Sequence, residues 1–188
     1  MIFVPYVLSP QQEPVSVRIV KMRKTDALKT IKEPKWQSDW TSEYIAQADC
    51  DKYAVKTADN ELIALGMYEI LSNALVVRIV YMEAQPESNP TIAGVERKYY
   101  GIGKLLIAFG IKLSIDNGFG GDVILEAKTD ALAKHYRDDF GGVELPRFND
   151  SALLCRIKST MIFSSKCAVN FTLSGQPQPT KRKALSPR

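Results

Sequence analysis

Between residues 15 and 20 the apolar Val15, Val17 and Ile19 alternate with Ser16 and Arg18, the period of a half-buried strand. Residues 24–32 and 39–48 read as two short helices split by Pro34, with Trp40 and Tyr44 one helical turn apart. Residues 53–57 and 62–71 flank the polar turn Ala58-Asp59-Asn60-Glu61, and Ser72-Asn73 provides a second turn before residues 75–82. Turns of this composition join antiparallel strands, so the pattern predicts a three-strand meander.

The second half has a different rhythm. Residues 103–117 are apolar nearly all round, which predicts a helix buried against a sheet, and Gly118 follows where a left-handed cap fits. Residues 122–126 are a short continuous apolar strand of the doubly covered, parallel kind. Residues 130–140 predict a helix with the stripe Leu132, Tyr136 and Phe140, stopped by Gly141 and Gly142. Two more strands are expected at 143–145 and 152–158. Strand, helix and strand after a meander argue a mixed α/β sheet with helices on both faces, whose ligands bind at carboxyl strand ends. Residues 1–173 are expected to form one domain, and the Pro-containing basic stretch 174–188 an unstructured tail.

Composition narrows the function. The chain has 188 residues, enough for one self-sufficient domain. Its 25 basic and 21 acidic residues give a formal charge of +4, but Lys181, Arg182, Lys183 and Arg188 all lie in the tail. The remaining body is neutral, which speaks against a broad nucleic-acid or membrane-binding face. Cys50, Cys155 and Cys167 show no metal-ligand spacing, so reduced structural thiols and no metal are expected. The opening residues lack a basic leader, and no run approaches the roughly 18 apolar residues of a membrane span. A cytoplasmic protein is expected.

Candidate chemistry concentrates in Lys98-Tyr99-Tyr100-Gly101-Ile102-Gly103-Lys104, just before the apolar helix. Two glycines at this spacing let the backbone bend closely around a ligand, and a helix start offers unpaired N–H groups at the positive end of its dipole. Glycines before a helix also serve ordinary turns, so the spacing alone leaves both readings open. The loop resembles the pyrophosphate loop of GNAT acetyltransferases, in which Gln or Arg is followed by two residues, Gly, one residue, and Gly or Ala. Lys98 stands at the Gln or Arg position, with Arg97 adjacent. DVILEAKTDALAKHYRDDFGG (122–142) further resembles the fifth strand and following tyrosine-bearing helix of that family. An inserted stretch, EAQPESNPTIAGVE, precedes the loop as in some little-characterised bacterial members, and would border the acceptor site.

The resemblance implies a mostly antiparallel central sheet of six or seven strands and an acetyl-CoA-dependent transfer to a primary amine. In these enzymes the fourth and fifth strands splay apart around the pantetheine arm, which places Tyr81, Met82 and Glu83 beside it. Residues 98–104 would hold the diphosphate, and Thr129 stands where many members carry a cofactor-contacting asparagine. Tyr136 matches the tyrosine that protonates the departing thiolate, a role a neutral phenol suits at neutral pH; packing on the Leu132 and Phe140 stripe is the alternative. Glu83 is the candidate base, with Glu87 and Asn89 as competitors. His135 is expected to face the solvent. Trp36, Trp40 and Tyr44 stand either in an acceptor groove or in the core.

Besides acetyl-CoA, the expected partner is an amine-bearing acceptor, and a homodimer is compatible with this reading. Two alternatives stay open: a toxin-type acetyltransferase acting on aminoacyl-tRNA, and a non-catalytic acyl-CoA-binding module.

Overall fold

Leu62–Leu71, the longest described strand, is apolar and buried on both faces through Tyr68, which places it inside a sheet rather than at its edge. In the computed structural model, which describes residues 2–92, 94, 96–145, 153–157 and 169–172, the sheet around it has nine strands. In chain order these are β1 (Ile2–Leu8), β2 (Pro14–Lys21), β3 (Asp51–Thr57), β4 (Leu62–Leu71), β5 (Val76–Ala84), β6 (Val123–Ala127), β7 (Val143–Glu144), β8 (Leu153–Ile157) and β9 (Val169–Thr172). Their spatial order is β7-β8-β6-β5-β4-β3-β2-β1-β9. Every neighbouring pair is antiparallel except β5 and β6. The expected mixed, mostly antiparallel sheet is present, with β1 and β9 added at one edge. With β1 in front, the strand that the resemblance counts as fourth is β5 here.

Helices cover both faces. The short α1 (Lys24–Ala27) and α2 (Glu43–Gln47) pack with Trp40 on Ala54, Leu65 and Met67, while α3 (Ile102–Asp116) packs on Val55 and Ile63. Ala54 and Val55 are adjacent in β3, so the two groups of helices lie on opposite faces. Helix α4 (Asp130–Phe140) shares a buried cluster with α3 and β6. The helix expected over 24–32 shrinks to its first turn, and that expected over 39–48 begins only at Glu43. Trp40 therefore lies before the helix, 1% exposed in the core, while Tyr44 is 70% exposed.

α3 approaches β4 and β5 so closely that a side chain at Gly110 would press on Ile79 and Tyr68. The buried Tyr68 hydroxyl donates to the carbonyl of Leu106, 2.9 Å away, and fastens the helix to the sheet. Its ring also fills the space that a side chain at Gly66 would need. This tight contact fixes where the first turn of α3 stands. Among the cysteines, Cys50 is half-buried and Cys155 buried, and both are free. Cys167 and residues 174–188 lie outside the described residues.

Candidate functional site

The register of β5 sets up the site. β5 carries one extra residue, Val80, against β4: Met67 pairs with Tyr81, and Tyr68 with Ile79. On its other side the parallel ladder to β6 stops at Ile79 and Leu125. Beyond that point β5 keeps its partner on the β4 side alone, and β6 keeps β8. The two strands part, and the backbone edge of residues 80–84 that faces β6 is left without a ladder.

A cavity of about 370 Å³ opens in this gap. Its walls include Tyr81, Met82 and Glu83 of β5, Gly101, Ile102 and Gly103 at the start of α3, and Leu132, Tyr136 and Phe140 of α4. Tyr81, Met82, Glu83, Tyr99, Tyr100, residues 101–103 and Tyr136 thus come together as the sequence suggests. Along β5 the face alternates: Met82 and Ala84 pack towards α3, Tyr81 towards the side of α2. Glu83 shares the face of Tyr81 and reaches Trp40.

At the α3 end the important groups are backbone amides. Gly101 has φ 81°, a left-handed conformation that favours glycine, and turns the chain into the helix. The amides of residues 101–104 have no hydrogen-bond partner among the described residues; the first intrahelical bond of this turn runs from the Leu105 amide to the Gly101 carbonyl. A side chain built at Gly103 would meet nothing within 4 Å, so the space over these amides is open. Unpaired donors, a helix dipole and clear space fit a diphosphate group.

The residues just before are committed elsewhere. The Lys98 amide donates to the Glu87 carbonyl at 2.8 Å, the Tyr99 amide to the Ser88 hydroxyl at 3.1 Å, and the Tyr100 amide to the Leu8 carbonyl at 2.8 Å. The last of these belongs to a bridge between Leu8 and Tyr100, so the Tyr100 amide, counted above among the phosphate-holding groups, is already taken by β1, a strand that the sequence pattern did not reveal. The Lys98 ammonium is paired with Glu61 at 2.7 Å, and the Tyr99 hydroxyl donates to the other Glu61 oxygen at 3.0 Å. Burial pushes the Glu61 carboxyl up, but hydrogen bonds from Lys98, Gln85 and Tyr99 outweigh it and hold the group below the usual carboxylate range. Glu61 thereby ties the turn between β3 and β4 to the loop. Lys98 stands outside the cavity wall, whereas Arg97 lines it and Lys104 reaches the Phe140 ring at 6.0 Å.

Tyr136 is 7% exposed, yet its hydroxyl has no hydrogen-bond partner among the described residues and its ring borders the cavity. Burial, with a smaller contribution from Cys155, pushes the phenol above its ordinary value, so it stays protonated at neutral pH. Packing on Phe140, at 6.3 Å between centroids, accompanies this position. Thr129 lies outside the cavity wall. It is the N-cap of α4, its hydroxyl accepting from the Leu132 amide at 3.2 Å. His135 is exposed to solvent, as expected, and pairs with Asp139 at 2.5 Å while also bordering the cavity.

The opposite end of the cavity is built from side chains that satisfy one another. One Glu83 oxygen accepts from the amides of Gln37 (2.6 Å) and Ser38 (3.2 Å), and the other from the Trp40 indole (2.9 Å). Gln37 in turn donates to the Thr91 hydroxyl at 2.8 Å and accepts from the Asn89 amide group at 3.2 Å. The inserted stretch thus does border the cavity, through Asn89, Pro90 and Thr91. Gln37 and Lys128 are wall residues that the sequence reading missed. Gln37 carries no local signal, because its place is set by a residue 46 positions away. Lys128 had one: it directly follows the parallel strand β6, at the strand end where α/β sheets bind ligands. The described residues contain no group of side chains able to hold a metal ion, and no described helix is long and apolar enough to cross a membrane.

No protein-family profile and no curated protein sequence matches the chain. Solved structures do. A PaiA N-acetyltransferase from Thermoplasma acidophilum, in complex with coenzyme A, is 17% identical, with a TM-score of 0.53 over 76% of this chain and 99% of that one. A chimera of spermidine N-acetyltransferase SpeG from Vibrio cholerae and hSSAT is 14% identical, with a TM-score of 0.54 over 79% of this chain and 99% of the other. A GNAT-family acetyltransferase from Listeria monocytogenes is 10% identical, with a TM-score of 0.53 over 81% and 99%. Likeness at such low identity speaks for architecture, and the architecture of this chain is the GNAT N-acetyltransferase fold.

Proposed function

We propose that the protein is an acetyl-CoA-dependent N-acetyltransferase that acts on a primary amine by direct attack in a ternary complex. The observation that carries this reading is the convergence, in one cavity, of unpaired first-turn amides, an unladdered strand edge and an unpartnered buried phenol. None of the three is satisfied within the described chain, and a ligand with a diphosphate, an amide-bearing arm and a thiol end would satisfy all of them.

Bound acetyl-CoA would supply an activated acyl group as its thioester. The amides of residues 101–104 hold the diphosphate, with Arg97 and Lys104 adding countercharge. Residues 80–84 hydrogen-bond the pantetheine arm through their open edge, and a backbone N–H near Met82 meets the oxyanion that forms as the amine attacks. Tyr136 gives its hydroxyl proton to the departing thiolate. Glu83 keeps one of its roughly four acceptor positions beyond the three N–H donors, enough to take the proton that the amine loses. The net proton passes from amine to thiol. No enzyme nucleophile is needed.

Calorimetric titration with acetyl-CoA tests the reading first, and release of free thiol on adding primary amines tests it second. A chain that binds no acetyl-CoA overturns it. A second reading, a non-catalytic acyl-CoA-binding module, is favoured by the three donors that already occupy Glu83. Binding without thiol release across an amine panel would select it.

A further inference from the structure

The far end of the cavity holds a cation that no described carboxylate neutralises. Lys128 lines the cavity, and its ammonium stands 5.2 Å from the centre of the Tyr81 ring. It makes no ion pair with any described carboxylate, while the nearby Glu126 is taken by Arg78 at 2.5 Å. Tyr81 meets Trp40 and Tyr44 edge-on, with centroids 6.5 and 6.4 Å apart. Lys128 therefore stands on the α2 side of the sheet, the side of Glu83 and opposite to α3. The carboxylate at this end, Glu83, has three N–H donors on its oxygens. What faces an incoming acceptor is thus one acceptor position fit for a single amine and, on the same face of the sheet and lining the same cavity, an ammonium with no matched donor among the described residues.

Resting on the N-acetyltransferase reading above, we propose that the acceptor is a primary amine that also bears an anionic group, a carboxylate or a phosphate, and that Lys128 is the residue that selects it. The Tyr81 face supports the ammonium by a cation–π contact and leaves its N–H donors for the anion. A polyamine would bring positive charge against Lys128 and, among the described lining residues, would meet only the carboxylates of Glu83 and Glu126, both already engaged, so like-charge repulsion disfavours that class.

Matched acceptor pairs test this with the full chain and acetyl-CoA: β-alanine against β-alaninamide, 2-aminoethyl phosphate against 2-aminoethanol, and spermidine as the cationic comparator. At least one anionic member should exceed its neutral twin by about tenfold or more in kcat/KM, and which pair separates further identifies carboxylate or phosphate. In Lys128→Gln that ratio should collapse through KM with kcat largely kept, and Lys128→Arg should restore it. Acetyl-CoA affinity and thermal stability of both variants should match the parent. Equal use of both members of each pair, preference for spermidine, or a ratio unchanged in Lys128→Gln overturns the proposal. Acetyl-CoA binding with no turnover on any of the five amines also overturns it while the cofactor site stands; absence of acetyl-CoA binding removes both.

Discussion

The two ends of the cavity are built on opposite plans. At the α3 end the functional groups are backbone amides of residues 101–104, which have no partner among the described residues and face open space. At the other end Glu83, Gln37, Asn89 and Thr91 satisfy one another, and Glu83 hydrogen-bonds β5 to the 37–40 segment. An end with unmet donors gains most from a ligand and contributes little to folding without one. An end with met donors is pre-organised and is part of what holds the fold together. Substitutions at the two ends should therefore separate binding from stability.

The largest expected effect is at the satisfied end. Glu83→Ala leaves the buried Trp40 indole and the partly buried amides of Gln37 and Ser38 without their acceptor; at about 1–3 kcal/mol for the buried donor and less for amides that water can reach, the loss should be about 3 kcal/mol. A urea midpoint close to that of the parent would show that the network does not stabilise the fold. Next is Tyr136→Phe. Because the hydroxyl has no partner within the described chain, stability should hold while kcat falls by about a hundredfold, with acetyl-CoA affinity kept. Steady-state kinetics with a thiol readout checks this, and an unchanged kcat removes Tyr136 from proton transfer.

Gly103→Glu sharpens the contrast from the open end. The new side chain has room, and replacing a helical glycine should leave stability equal or higher by about 0.5 kcal/mol, but its charge and bulk occupy the diphosphate position. Acetyl-CoA affinity by calorimetry should fall about tenfold or more. Equal affinity would move the diphosphate away from this turn. The smallest effect concerns the clamp beside the loop. The Glu61 carboxyl is held below its unfolded value, so its contribution to stability is present above the ordinary carboxylate pKa of about 4.3 and is lost as pH falls through its folded value. Between about pH 5 and pH 3 the thermal midpoint of Glu61→Gln should therefore fall less than that of the parent. Parallel curves would remove Glu61 from the acid response.

Regular elements with strong local patterns were legible in the chain. Residues 103–117 predicted α3 to within a residue at each end, residues 130–140 match α4, and 62–71 match β4. Gly118 and Gly141 take the left-handed conformation expected of helix ends. Less of the first half was legible. α1 and α2 are held by burial of Ala27, Trp40 and Ile45 and are too short for a helical period to register. β1 gains its place by pairing with β2 and β9, partners near and very far along the chain, which no local window contains.

For the site the division is the same. The sequence by itself determined the loop and its glycines, the tyrosine on its helix, and the strand over residues 75–82 that the structure carries on to Ala84, because each is a short-range pattern of backbone freedom or apolar period. Only the tertiary structure decided that Lys98 turns to Glu61, that Leu8 takes the Tyr100 amide, that Thr129 caps a helix, and that Gln37 and Lys128 face the cavity. Those outcomes depend on which donor meets which acceptor across the fold, and that pairing is fixed by packing between segments distant in the chain.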